Sequence, residues 1–431
     1  MKVRALPPLQ TLCERHNHVV LLWDERIEGR ALLGVGAQRS IQVDTPRSGD
    51  WALWEAFIQE SESRAAWSFG WLGYDLHESL ELAALSECPS PVPAHPSAWP
   101  LMHWWEPAIV LEWAPGTESP SIVAGAGTPL AEETMTLVTA SREQTQRTAT
   151  ADTGHWTPLS PAWSQEAYNA KFNAVQAALQ RGDIYEMNLC MPWSGAAPAN
   201  QSWAMFERLA ADTKAPHSAY VQAGPWRTLC ASPERFLAKR GNTLHSQPIK
   251  GTVKRGATEA EDDALRDALA NSEKEQAENV MIVDLVRNDL SRVAERDSVC
   301  VDELFGIHTF ATVHQMISSI SCTVSPDASP LDIMRATFPM GSMTGAPKLS
   351  AMKHIAQLEE TGRGLYSGAL GYVDPKGDWD LNVVIRSLMH HAETERVDAT
   401  FGGAITLLAE AESEYDECLL KAQALRNCFA P

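Results

Sequence analysis

A chain of 431 residues that is 44% hydrophobic carries enough apolar material for one large core or two average ones. Thirty-five basic against fifty-five acidic side chains leave a formal charge of -20, which repels nucleic acid and anionic membranes at long range and removes both from the expected partners. The first residues hold no apolar segment of signal-peptide length, no run of about 18 apolar residues follows, and the eight cysteines include no Cys-x-x-Cys pair; the expectation is a cytoplasmic protein without zinc ribbon or disulfide framework.

Along the chain, eleven of the fifteen tryptophans fall in residues 1–163. Proline-punctuated CPSPVPAHPSAWP (88–100) predicts a surface loop, and polar SREQTQRTATADTGHW (141–156) precedes a change of character. The expected organisation is a Trp-rich region, 1–155, interleaved with a main body, 156–431, that carries most of the motifs. Ser164 is the N-cap of a predicted helix in which Phe172, Val175 and Leu179 share a face and Gly182 ends the run. TLCASPERFLAKRGNTLHSQPI reads as strands. NSEKEQAENVMIVDLVRNDL opens with a capping box, Ser272 and Glu275, and is apolar nearly all round at 280–286, which predicts a buried helix. VHQMISSISCTV and GLYSGALGYVDPKGDWDLNVVIRSLMHH read as further strands, with DPKGD as a hairpin turn. ESEYDECLLKAQALRN closes the chain as a helix aligning Tyr415, Leu419, Ala422 and Leu425. Helices and strands mix without strict alternation, so the expected class is α+β.

Several constellations are able to carry chemistry. Glu275 with Glu278, and Glu414 with Glu417, are spaced to share a helix face. Each pair is either a solvated face or half of a cation site, and oxygen-only ligands suit Mg²⁺. FPMGSMTGAPKLSAM (338–352) is either a structural turn or an anion cradle at a helix start, and the glycines of FGGAIT (401–406) permit close backbone approach. Lys250, in HSQPIKGTVKRG, is either an ordinary surface lysine or a nucleophile. The second role requires an amine pKa brought from near 10.4 to around 7.5, roughly 4 kcal/mol of desolvation or like-charge repulsion.

SPERFL, PIKGTVKRG, ENVMIVDLVRNDLSRV, FPMGSMTGAPK, RGLYSGALGYV, NVVIRS and EYDECLLKA, in this order across residues 162–426, resemble the chorismate-binding enzymes. The resemblance implies one α+β body of two packed antiparallel β-sheets with helices outside. It implies Lys250 attacking C2 of chorismate while the 4-hydroxyl leaves, with Glu234 as the general acid. Glu278 and Glu417 become direct Mg²⁺ ligands with Glu275 and Glu414 nearby, and Thr252, Tyr366, Arg386, Lys421, Gly402 and Gly403 hold the substrate's carboxylates.

Within the family, anthranilate synthases typically read Pro-Ile-Ala-Gly-Thr where this chain reads Pro-Ile-Lys-Gly-Thr. Isochorismate and salicylate synthases carry a water-activating lysine near the position of Glu186. The lysine form resembles the branch that places nitrogen at C4. The expected enzyme therefore converts chorismate and ammonia to 4-amino-4-deoxychorismate, on the route to 4-aminobenzoate and folate. No Gly-x-Cys-x-Gly glutaminase elbow is present, which predicts ammonia supplied by a separate glutamine amidotransferase subunit, and no lyase extension is expected. Ala404 and Gln315 depart from the family pattern, Gln315 standing where anthranilate synthases have a histidine that assists pyruvate elimination, with His314 one place away. The competing readings are anthranilate synthase component I and a catalytically degenerate chorismate-binding subunit.

Overall fold

The β-branched and aromatic runs pair into two antiparallel sheets. A computed structural model describes residues 3–80, 95, 97, 99–140 and 156–429. Most of the predicted proline-rich loop and the proposed boundary near 155 lie outside the described residues.

Among those residues the first sheet has eleven strands. In spatial order they are Gly345–Ala346, Glu186–Ala196, Arg396–Ile405, Ser387–His391, Trp226–Ser232, His217–Ala223, His18–Trp23, Ala31–Val35, Ile109–Trp113 and Ser121–Ala124, with Thr157–Pro161 beside Glu186–Ala196. The second has ten, running from Ile249–Lys254 through Val313–Thr323, Thr243–Gln247, Arg235–Arg240, Trp379–Val383, Ala369–Val373, Ser68–Leu72 and Met102–Glu106 to Arg39–Val43, with Cys300–Thr309 beside Val313–Thr323. Strands from the first 124 residues thus enter both sheets.

Strand alternation decides where the core sits. Along His18–Trp23, Val20 belongs to the core between the sheets, whereas Val19, Leu21 and Trp23 belong to a second core on the opposite face, where helix Gln10–Arg15 packs on this strand and helices Gln165–Arg181, Ser202–Thr213 and Ala411–Asn427 cover neighbouring strands. Both faces of the first sheet are covered, which is why HVVLLW reads as a near-continuous apolar run. Part of the tryptophan excess, Trp71 and Trp105, packs between the sheets with His103 and His18. On the other face of the second sheet Trp54, from helix Asp50–Ser63, meets Trp104 and Trp379 edge-to-face at 5.9 and 5.8 Å, contacts worth about 0.5–1.5 kcal/mol each beyond area burial. No helix among the described residues is long and apolar enough to cross a membrane.

The predicted helices form with two instructive differences. Ser164 accepts from the Ala167 N–H and Gly182 ends the helix at φ +77, as the sequence requires. Ser272 accepts from the Glu275 N–H, but Glu275 does not return the bond, so only half of the expected capping box exists; its carboxylate turns to a cavity instead. The following helix, Glu273–Ser291, is not buried all round, since Val280 is 42% exposed while Ile282, Val283 and Val286 are covered.

A buried ion pair ties the sheets together under the cavity. Arg363 bonds Glu359 at 2.6 Å, the carbonyls of Met343 and Asn188, and the Ser367 hydroxyl, while Glu359 also accepts from the Cys190 N–H. Both side chains are under 5% exposed. Arg363→Met strands an unpaired carboxylate there, and a loss of about 3–5 kcal/mol is expected, measured as a lowered urea midpoint. A change under about 1 kcal/mol would show that the pair does not brace this wall.

Candidate active site

One cavity of about 550 Å³ gathers every residue to which the resemblance assigns a catalytic, metal-binding or carboxylate-binding role. Strand Ile249–Lys254 supplies Lys250 and Thr252, the turn after Trp226–Ser232 supplies Glu234, and strand Arg396–Ile405 supplies Gly402 and Gly403. Tyr366 and Arg386 complete the floor. Helix Glu273–Ser291 brings Glu275 and Glu278, and helix Ala411–Asn427 brings Glu414, Glu417 and Lys421. The two carboxylate pairs therefore line one space, with Glu417 still 47% exposed at its mouth.

Glycine makes this approach possible. At Gly251, φ +83, an added Cβ would stand 2.9 Å from Glu275 Oε2, and at Gly403 it would stand 2.7 Å from Glu414 Oε2. Arg386 sits at φ +51, a left-handed conformation costing a non-glycine residue about 1 kcal/mol or more, and one that collects at ligand sites. Lys421 reaches the Gly402 carbonyl at 2.7 Å and Glu417 at 2.6 Å.

Lys250 is not a surface lysine: its side chain is 11% exposed, and Nζ donates to Glu186 Oε1 at 2.6 Å. Burial works to lower its pKa, but the carboxylates of Glu186, Glu278 and Glu234 outweigh burial and hold the ammonium above its ordinary value. The lowered amine pKa that a nucleophile requires is therefore not supplied by the chain's own groups. The cause is the surrounding carboxylates, which stabilise positive charge more than desolvation penalises it.

Glu234 is buried, at 5% exposure. Burial pushes its pKa up to about 7, against a hydrogen bond from Ser342 and the attraction of Lys250. Its backbone is fixed on both sides, the N–H donating to Ser232 Oγ and the carbonyl accepting from Val383 N–H.

The four cavity glutamates are electrostatically unequal. Burial, then Glu417, lifts Glu414 to about 7, and burial, with Glu275 opposed to Lys250, raises Glu278. Glu417 is lowered, because Lys421 with Lys274 and Arg386 overcomes its burial. Among the described residues no three acidic, histidine or cysteine groups stand close enough to form a ready-made metal cage. Mg²⁺ usually takes only one or two protein carboxylates together with substrate oxygens and water, so this crowded, all-oxygen donor set fits it without a cage.

Two features that the sequence left open can be placed. The start of helix Lys348–Leu358 lies outside the cavity lining, Lys348 bonds Asp289 at 2.5 Å, and the motif contributes Ser342 and Met343 to the cavity. His314 and Gln315 are adjacent on a strand and so face opposite ways. His314 bonds Asp262 and Thr309, each at 2.9 Å, away from the cavity, while Gln315 lines it and reaches Thr252 at 3.4 Å.

Sequence reasoning assigned no role here to Glu186 or Ser342. The available signal for Glu186 was an acid opening the strand EMNLCMPWSGA, whose first six residues are buried. A second cavity, about 630 Å³, lies at Asp24, Arg30, Arg235 and Asp380 and holds none of the predicted site residues. Its charges are partly matched internally, Arg235 bonding Asp380 at 2.9 Å and Arg26 bonding Asp24 at 2.6 Å.

The fold and this constellation define the class. The chorismate binding enzyme family model matches residues 18–427, and the chain belongs to that family. A curated aminodeoxychorismate synthase from Streptomyces griseus is 42% identical over 270 residues, covering 62% of this chain and 37% of the relative. Aminodeoxychorismate synthase component 1 from Klebsiella aerogenes is 38% identical over 271 residues, covering 62% of this chain and 59% of the relative. The matched segments thus span under two thirds of either relative's length. In architecture the chain is similar to anthranilate synthase component I from Streptococcus pneumoniae TIGR4, with a TM-score of 0.76 at 22% identity over 92% of each chain. The α+β fold of two packed antiparallel sheets is the one expected.

Proposed function

We propose that this protein aminates chorismate at C4, giving 4-amino-4-deoxychorismate from ammonia supplied by a separate glutamine amidotransferase subunit. The observation that carries the reading is the buried amine of Lys250 in the same cavity as a carboxyl, Glu234, held near neutrality. The names of the relatives and their identity support it.

The chemistry is two displacements. Lys250 Nζ bonds to C2, the ring double bonds shift from C1–C2 and C5–C6 to C1–C6 and C4–C5, and the C4 hydroxyl departs as water with the Glu234 proton. Ammonia then bonds to C4, the double bonds return, and the lysine is expelled. Arg386 and Lys421 make the cavity locally positive within an acidic protein, and Thr252, Tyr366 and the Gly402–Gly403 backbone orient the dianion. Glu278 and Glu417, with Glu275 and Glu414 beside them, would hold Mg²⁺, which when bound neutralises and orients a substrate carboxylate. Gln315, rather than a histidine, lines the cavity here, which suits a reaction that stops before pyruvate elimination and aromatisation.

Incubation with chorismate, ammonium and Mg²⁺ is expected to yield product with nitrogen at C4, identified by NMR, and chelation is expected to abolish it until Mg²⁺ is restored. Nitrogen at C2 would establish the anthranilate-type alternative, and no turnover with amidotransferase and glutamine supplied would establish the degenerate one.

A further inference from the structure

We propose that Glu186 is the catalytic base for Lys250: it takes the proton from the lysine ammonium before attack and returns it when the lysine is expelled. The inference rests on the C4-amination reading and adds to it a residue that reading leaves without a task.

The problem is set by the charges. Lys250 is surrounded by Glu186, by Glu278 from the Glu273–Ser291 helix and by Glu234 beyond the Trp226–Ser232 strand, all of which favour its ammonium form. An ammonium has no lone pair to offer to C2, so the nucleophile has to lose a proton inside the site. Of the three, Glu234 is required as a proton donor, and Glu278 is the proposed metal ligand. Glu186 makes the direct contact, 2.6 Å from Nζ to Oε1, a charge-assisted hydrogen bond along which a proton moves without solvent.

Three further features suit it to this task. Its side chain is fully buried, and Oε2 has no hydrogen-bond partner, so the carboxyl has an open position for the proton that it receives. It lies outside the cavity lining while Lys250 lies inside, so its carboxyl is placed to serve the lysine rather than to activate a water or an ammonia beside the substrate. Its backbone is clamped: strand Glu186–Ala196 pairs with Gly345–Ala346, and a Cβ at Gly345, φ +149, would come within 2.2 Å of the Glu186 carbonyl. A base held within hydrogen-bond range of its proton needs such fixed backbone.

The proton balance closes. Lys250-NH₃⁺ and Glu186-COO⁻ become Lys250-NH₂ and Glu186-COOH; the amine bonds to C2 while Glu234-COOH protonates the departing hydroxyl, which leaves as water. When ammonia bonds to C4 and the C2–N bond breaks, the released amine recovers its proton from Glu186. The new C4 ammonium loses one proton to Glu234, and both carboxyl groups are reset.

The test is Glu186→Gln, which keeps an acceptor for the ammonium but cannot take its proton. C4 product formation at pH 7 is expected to fall about 10²–10⁴-fold with chorismate affinity little changed, and the pH optimum to move up by a unit or more, because Lys250 must then lose its proton to solvent. A rate and profile equal to wild type would overturn the proposal. An equal loss at every pH would also overturn it, leaving Glu186 a structural counter-ion. Should this variant not fold, Glu186→Asp keeps the charge pair, lengthens the proton path and is read by the same upward shift. Wild-type product is scored in the same run; failure to form the C4 amine there disproves the underlying reading, separately from the role of Glu186.

Discussion

Lys250→Ala is expected to lose C4 amination by on the order of 10⁴-fold or more, the scale seen when a covalent nucleophile is removed. Without the amine the 4-hydroxyl must be displaced directly by ammonia, with no intermediate to divide the barrier. The substitution also removes the counter-ion of a fully buried carboxylate, Glu186, and on its own terms costs about 3–5 kcal/mol of stability. Lost activity therefore has to be separated from lost structure. Lys250→Arg does this, because it preserves the positive charge against Glu186 but carries a guanidinium that neither deprotonates nor attacks. The expected result is chorismate bound by both variants, a folded Lys250→Arg, and C4 product from neither. Undiminished C4 product from either variant would rule out covalent participation by this lysine.

What the sequence revealed, and what it withheld, follows the range of each interaction. The pairs Glu275–Glu278 and Glu414–Glu417 were legible because a spacing of three defines a helix face; that the two faces meet in one cavity depends on helices far apart in the chain. Lys250 was legible as an unusual lysine, but its partner Glu186 lies 64 residues away on the other sheet, so the ion pair that fixes its protonation had no local trace. Pattern also misled where function overrode it. Ser272 and Glu275 read as a reciprocal cap, yet Glu275 lines the cavity, and the helix start forgoes one bond. His314 and Gln315 show the opposite case, where strand parity alone decides which side chain reaches the cavity, and one residue of register separates a cavity wall from a buried contact with Asp262. The tryptophans read as an N-terminal peculiarity, and much of their mass is core that the two sheets need to stay packed.

The pH dependence of turnover is expected to reflect Glu234. Its carboxyl pKa, raised by burial to about 7, means that the proton donor is filled in acid and empties as pH rises through neutrality. The wild-type rate should accordingly fall above pH 7 with a one-proton slope, and Glu234→Gln should lose this titration along with about 10²–10⁴-fold of the rate. A linked stability effect has the same direction. Because the folded state holds this proton more tightly than the unfolded chain, whose carboxyl titrates near 4.5, the favourable contribution is complete below about pH 4.5 and is lost as pH climbs to 7, on the order of 3 kcal/mol in total. Glu234→Gln should flatten that part of the stability curve while abolishing activity, so one substitution separates fold from chemistry: the variant gains on wild type in urea unfolding as pH rises from 5 to 8. Wild-type turnover that is level from pH 6 to 8, or a Glu234→Gln enzyme as fast as its parent, would remove this carboxyl from the donor role and leave the departing hydroxyl to be protonated by solvent.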